Sequence, residues 1–304
     1  MITRHGIAWL MWLALLTASG FAQTPYYYTM RPHGMGMRAA GLAEASSADA
    51  TDVTGMFWNP GSLSYLRTQG IMFTHAIDAT TRAKTEQIAA AAYRTAGVSF
   101  AANAVYVHNG TLSPESGPQV SVGMRGVDVA ASYLLLPTLS LGALVGVREL
   151  QFAEERRKTG WGNVGLFYFP SPGISYGISY RALRGATYWY SNSQSGVLWE
   201  PDVMQTIEMG ATMSYPARAT TPVVMLSLST EKVFPGVSLF STKGGLEVFP
   251  LPMIALRVGF KVGSLERVAR YGIGVQWYGV HIDAAFAPSS AENRFGGISL
   301  VVDL

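Results

Sequence analysis

The chain is predicted to be all-β: a transmembrane antiparallel β-barrel of about fourteen strands, with an N-terminal lumenal plug containing a short helix. Three features carry that expectation. Large apolar residues alternate with small, polar or charged ones through stretches of about 9–12 residues, longer than a typical globular strand. Charged residues make up only 13% of the chain, about half the soluble average. Every second connection between the alternating stretches is tight. Beyond the first 22 residues no segment offers about 18 uninterrupted apolar residues, which excludes helices as the spanning element.

The first residues belong to export. Arg4 and His5 precede the apolar stretch Ile7–Leu16, and Ser19-Gly20-Phe21-Ala22 supplies small residues before a cleavage site. Residues 1–22 therefore read as a secretory signal peptide. No cysteine follows, so neither a lipid-anchored cysteine nor a disulfide is expected. The formal charge of +3 falls to about +2 once Arg4 is removed, too little to argue for nucleic acid as a partner.

Residues 23–69 do not alternate and are assigned to the plug. The alanine-rich AAGLAEASSADA favours a short helix, with Asp49 or Asp52 as caps, and Asn59-Pro60-Gly61 is a turn. Phe57 and Trp58 would be awkward in water, so the segment is expected inside the barrel, with the Trp58-Asn59-Pro60 corner on its inner wall. Arg38 then needs a partner among Asp49, Asp52 or a lumenal carboxylate, because a buried unpaired charge is costly.

Residues 70–304 are assigned to the barrel, with strands at 70–80, 85–95, 97–107, 119–135, 138–153, 160–169, 173–183, 203–215, 222–232, 239–249, 252–263, 267–278, 279–287 and 294–303. In Ile254–Val262, residues Ile254, Leu256, Val258, Phe260 and Val262 point one way, and Ala255, Arg257, Gly259 and Lys261 the other. Stretches 174–182 and 271–278 repeat the pattern, with Tyr176, Tyr180, Tyr271 and Trp277 on the apolar side. A soluble β-sandwich also alternates, but its wet face would carry Lys, Glu and Thr instead of so many Gly, Ala and Ser. Small residues suit an interior approached by a plug. Arg181, Glu231, Arg257, Lys261, Gln276, His281 and Asp283 are thus expected to line the lumen, and Gly259→Ser to cost little. Tight connections at 136–138, 170–172, 249–251 and 278–279 alternate with longer ones at 108–118, 154–159, 185–202 and 288–294. Outer-membrane barrels keep short turns in the periplasm, which puts the long connections outside and both termini in the periplasm of a bacterial cell. The longest loop carries Trp189, Tyr190 and Trp199, a lid over the mouth or a contact for a partner.

Catalytic chemistry finds little support. Gly173-Ile-Ser175-Tyr-Gly177 matches the nucleophile-elbow pattern but lies inside an alternating strand with no helix after it. Gly34-x-Gly36-x-x-Ala39 follows no strand and opens no βαβ unit. His281 and Asp283 share a face without a third group, metal-ligand spacings are absent, and no cofactor is expected.

GMGMRAAGLAEASSADATDVTGMFWNPGSLSYL, residues 34–66, resembles the N-terminal signature of the PorV/PorQ group, relatives of the FadL-type outer-membrane channels. Arg38, Gly41, Asp49, Trp58, Asn59 and Pro60 fall on that pattern, and Asp52 accompanies them. GLEVFPLPMIALRVGFKVG and HIDAAFAPSSAENRFGGISLVVDL resemble the group's closing strands. Two departures stand out: Leu42-Ala43-Glu44-Ala45 replaces the usual Gly-Ala-Phe, and the last residue is Leu304 where Phe is common. The resemblance implies an outer-membrane, non-enzymatic barrel accessory to protein secretion or surface attachment of the type IX kind. Its partners would be outer-membrane lipid and secretion-system proteins or exported cargo. The alternative it implies is a FadL-like channel for uptake of a hydrophobic small molecule.

Overall fold

A computed structural model of the chain describes residues 27–28, 36–66, 69–78, 84–95, 97–112, 120–152, 155–184, 187–190, 197–200, 203–217, 222–234, 239–263, 267–287 and 295–304. The signal-peptide stretch 1–22 lies outside them.

Fourteen strands form one closed barrel. In chain order they are β1 (Gly70–Asp78), β2 (Lys84–Thr95), β3 (Val98–Leu112), β4 (Val120–Leu136), β5 (Leu139–Phe152), β6 (Glu155–Ser171) and β7 (Ile174–Arg184). They continue as β8 (Val203–Tyr215), β9 (Val224–Phe234), β10 (Leu239–Leu251), β11 (Ile254–Gly263), β12 (Arg267–Trp277), β13 (Val280–Ala287) and β14 (Phe295–Asp303). Each is antiparallel to its neighbours, and the ring closes where Phe73 of β1 lies opposite Leu300 of β14. Closure leaves no strand edge, the condition for placing a sheet in lipid. No described helix is long and apolar enough to cross a membrane.

The two faces of each strand differ as the alternation requires. On β11, Leu256, Val258 and Phe260 are exposed on the outer surface while Ala255, Arg257, Gly259 and Lys261 are buried on the inner one. Tyr168, Tyr176, Tyr180, Tyr271 and Trp277 likewise face outward. The strand expectations are met in number and phase, but two of the expected connections belong in part to barrel strands. Of the connection expected at 154–159, residues 155–159 belong to β6, with Phe152 of β5 opposite Glu155, and of that expected at 108–118, residues 108–112 belong to β3, where Gly110–Leu112 pairs with β4. Polar side chains there read as a loop in the sequence. A sheet that rises out of the membrane has water on its outer face, so its alternation no longer carries an apolar signal.

Residues 36–66 lie inside this wall. Two short helices, α1 (Met37–Gly41) and α2 (Gly55–Trp58), and a 3-10 turn (Pro60–Tyr65) are almost wholly buried. α1 sits against β11–β14, the 3-10 turn against β3–β7. The expected helix caps are not caps. Asp49 and Asp52 instead accept from the backbone N–H two residues on, at Thr51 (3.0 Å) and Thr54 (2.8 Å), closing turns that compete with helix. After α1 the chain reverses through Ala43 (φ 52°) and Glu44 (φ 67°), left-handed conformations that cost about 1–2 kcal/mol each outside glycine. Glu44 is held there by Arg270 of β12 at 2.9 Å.

Tyr27–Tyr28 pairs with Thr187–Tyr190, which in turn pairs with Val197–Glu200, in the connection between β7 and β8. That connection lies at the mouth opposite the short turns, whereas Leu304 donates its N–H to the Gln69 carbonyl at the short-turn mouth (2.9 Å). Tyr27–Tyr28 and Leu304 are therefore at opposite mouths.

Candidate functional site

The lumen is the site, and its two sides differ in chemistry. On the side of β7–β13, charged groups from wall and segment interlock. Arg38 lies against Asp49, stands 3.8 Å from Asp52, and donates to Glu247 of β10 at 2.7 Å. Glu247 also accepts from Arg257 of β11 (2.5 Å), which reaches Asp283 of β13 at 2.6 Å. Higher in the wall Lys243 bridges Glu208 and Glu231, at 3.1 Å each, and Arg181 reaches Glu208 at 3.4 Å. The Trp58 ring lies beneath these cations, 5.6 Å from the Lys243 ammonium and 5.8 Å from the Arg181 guanidinium. Cations over an aromatic face in a desolvated site attract it by up to about 2 kcal/mol.

These charges sit in the inward phase of their strands, where burial would be prohibitive without partners. Burial works against the Arg38 charge, yet Asp49, Glu247 and Asp52 together hold its pKa well above the ordinary value. For Asp52 burial dominates: its pKa is raised, with Arg38 only partly opposing.

On the side of β1–β5 the contact is apolar. Val53, Met56, Phe57 and Leu63 of the segment meet Met72, Ala89, Ala101, Ala130 and Leu144 of the wall. Alanines on three adjacent strands leave a shallow wall against which Met56 and Phe57 fit. Above this seam lies a polar network in which Asp128 accepts from Asn103 (2.7 Å) and Trp161 (2.7 Å) and pairs with Arg148.

The Trp58-Asn59-Pro60 corner joins the two sides. Asn59 donates its side-chain amide to the carbonyls of Ser47 (2.9 Å) and Leu166 (3.0 Å), and its carbonyl oxygen accepts from the Gly61 N–H (3.1 Å). Asn163 donates to the Phe57 carbonyl (2.9 Å), Ser140 to that of Gly61 (2.6 Å). Gly142 and Gly165 make room, since a Cβ at either would collide with Pro60 or Asn59. Gly41 of α1 packs closely on Gly272 of β12, where a Cβ would lie 3.1 Å from the Gly272 Cα. Ser175, the centre of the elbow-like pattern, is in β7 and donates to the Ala48 carbonyl (2.6 Å), tied to the backbone and paired with no base.

Of the expected lumen residues, Arg181, Glu231, Arg257, Lys261, Gln276, His281 and Asp283 all lie in the inward phase. They do not form one cluster. His281 faces Asp303 (3.1 Å) and Gln276 donates to the Pro252 carbonyl, both near the short-turn mouth. They border a small cavity of about 20 Å³ that Arg257 and Asp283 also line, about the size of a water. Trp189, Tyr190 and Trp199 are placed only by backbone pairing, and their side chains lie outside the described residues. Glu208, Lys243, Glu247, Asp128 and Arg148 were not foreseen. Their signal was available, since each is a charged residue in the small-residue phase of its strand.

No protein-family model and no curated protein matches the chain. Solved structures do. The Ralstonia pickettii toluene transporter TbuX superposes with a TM-score of 0.61 at 13% identity, over 90% of this chain and 98% of that one. The CymD monoaromatic hydrocarbon channel gives 0.65 at 11%, over 88% and 97%. A Pseudomonas aeruginosa FadL homologue gives 0.62 at 10%, over 88% and 98%. The fold thus defines the class, a closed fourteen-stranded antiparallel barrel similar in fold to that of the FadL homologue. The resemblance to the PorV/PorQ group in particular receives no support from these likenesses, whose proteins are described as transporters and channels.

Proposed function

We propose that the chain is an outer-membrane channel for a hydrophobic small molecule, with residues 36–66 acting as its plug. The apolar seam between Val53, Met56, Phe57 and Leu63 and the wall of β1–β5 carries this reading. On the other side the segment is held by charge-assisted bonds through Arg38, which are directional and costly to break in a buried site. Along the seam itself Val53, Met56, Phe57 and Leu63 make dispersion and hydrophobic contact, with hydrogen bonds to the wall of β4 and β5 confined to the 3-10 turn at Gly61 and Ser64, and an apolar solute replaces the apolar contacts with equivalent ones. The seam is therefore the compliant side and the ion-paired side the hinge. The short turns and Leu304 face the periplasm, and the long connections face outward. Bilayer lipid and the transported solute are the partners.

The fold shared with a toluene transporter and a monoaromatic hydrocarbon channel supports the choice of solute class. A secretion accessory would need an outer protein-binding surface and has no use for an apolar seam inside the barrel.

Uptake of radiolabelled toluene tests the proposal in cells expressing the full chain, against cells with empty vector. Wild-type barrel should accelerate entry. Ala130→Phe, which fills the seam, should abolish the gain while the barrel still shows its heat-dependent gel shift. Equal uptake by wild-type and vector cells refutes the channel.

A further inference from the structure

The outer surface of β4–β6 carries a charged patch that neither the lumen nor transport uses. Arg125, Glu149, Arg156 and Lys158 are all in the outward phase, on the same face as the lipid-facing Val127 and Val147. Arg125 donates to Glu149 at 2.8 Å, and Arg156 stands 4.0 Å from the same carboxylate oxygen. Lys158 lies opposite Glu149 in the ladder. Both guanidinium groups remain more than half exposed, with side-chain accessibilities of 61% and 62%, while Glu149 is at 17%. One partly buried acid thus fixes two arginines and leaves their remaining donors facing out, with a net charge of +2 for the four residues.

Height places the patch. Arg125 lies 11 residues from the turn-side end of β4 and Arg156 15 from that of β6. At a rise of ~3.3 Å per residue and a tilt of ~40°, these are about 28 and 38 Å above the short-turn mouth. An apolar band of about 25 Å ends just below Arg125. The patch begins where acyl chains stop and headgroups start. The short-turn mouth exposes large apolar and aromatic side chains, among them Leu136, Tyr168 and Tyr278.

We infer that this patch binds the phosphorylated headgroup of an outer-leaflet lipid, its acyl chains lying on the apolar wall below. Planar guanidinium forks match phosphate oxygens two at a time, and Lys158 adds a point charge beside them. A soluble anion would gain nothing from the apolar wall, which is why a lipid is the occupant. The inference rests on the orientation proposed above, with the long connections outside.

The test uses the full barrel reconstituted in phosphatidylcholine vesicles doped with diphosphorylated lipid A, then extracted and weighed by native mass spectrometry. Wild type should retain the phosphorylated lipid over phosphatidylcholine. Arg125→Ser/Arg156→Ser/Lys158→Ser should retain about tenfold less or lower still. A charge-matched control, Lys84→Ser/Lys232→Ser/Arg267→Ser, removes three cations elsewhere in the chain and should retain the lipid as wild type does. Equal loss in both triple variants means diffuse electrostatics and overturns the site, as does undiminished retention in the first. Displacement by millimolar inorganic phosphate would make the ligand a free anion and also overturn it. Membrane-impermeant labelling of Arg156→Cys on whole cells reads the orientation separately: no label overturns the outward placement and the inference with it. Toluene uptake is unaffected by the first triple variant if seam and patch are independent, so failure of either proposal is visible alone.

Discussion

Removing Glu247 should loosen the N-terminal segment while leaving the barrel closed. The carboxylate is 1% exposed and accepts from Arg38 at 2.7 Å and Arg257 at 2.5 Å, one from the segment and one from the wall. Glu247→Gln keeps the shape but offers one neutral acceptor where two charged bonds existed, and turns an amide N–H₂ toward the other guanidinium. Breaking a buried ion pair from one side costs about 3–5 kcal/mol. Here each arginine keeps another carboxylate, Asp49 for Arg38 and Asp283 for Arg257, so about 2–3 kcal/mol is the expected loss. That loss concerns segment docking, because the strand ladders on either side of Glu247 are unchanged. Hydrogen exchange followed by mass spectrometry separates the two: amides of residues 37–64 should exchange about 30- to 150-fold faster, and those of β10 and β11 by much less. A double-mutant cycle with Arg38→Met should return most of the effect as coupling. Unchanged exchange in 37–64, or equal acceleration in strands and segment, refutes the view of Glu247 as the latch between segment and wall.

Other substitutions test the remaining parts of the argument. Gly259→Ser, which alternation alone suggests is mild, should release the segment, because its Cβ would meet the backbone at Leu42 and Ala43; protease sensitivity of residues 36–66 reads this out, and a resistant variant contradicts the packing. Val258→Arg, one residue away on the lipid face, should lower the unfolding free energy by about 2–4 kcal/mol if it lies near the midplane, measured by urea titration in lipid vesicles. Asp52 has its pKa raised by burial, so the folded state holds the proton more tightly than the unfolded one. Its contribution to stability is fully present below the ordinary carboxylate range and is lost as pH rises through the raised value. Asp52→Asn should therefore flatten that part of the pH dependence and leave stability at neutral pH equal or higher, whereas a steeper fall at neutral pH would show the charge to be needed.

Most of the barrel could be read from residue order. A strand in lipid must show large apolar side chains on one face and small or polar ones on the other, and a period of two is visible without knowing any neighbour. Number, phase and direction of the strands follow, as does the inward placement of Arg257, Lys261 and Asp283. Where β5 and β6 leave the membrane, the outer face turns polar and the signal ends; only the ladder itself shows that the strands continue to Phe152 and Glu155. Arg38 had to have a carboxylate partner because a bare buried charge is prohibitive. That Glu247, more than two hundred residues away, supplies one was decided by the closure of the ring and the depth at which α1 stops. The same holds for the route of the segment. Composition marks residues 23–69 as non-strand, but the mouth at which Tyr27–Tyr28 sits depends on a pairing with Thr187–Tyr190 that no local pattern encodes. Gly259 shows the division in one residue: period two assigns it to the lumen, and only the backbone of Leu42 pressed against it explains why nothing larger fits.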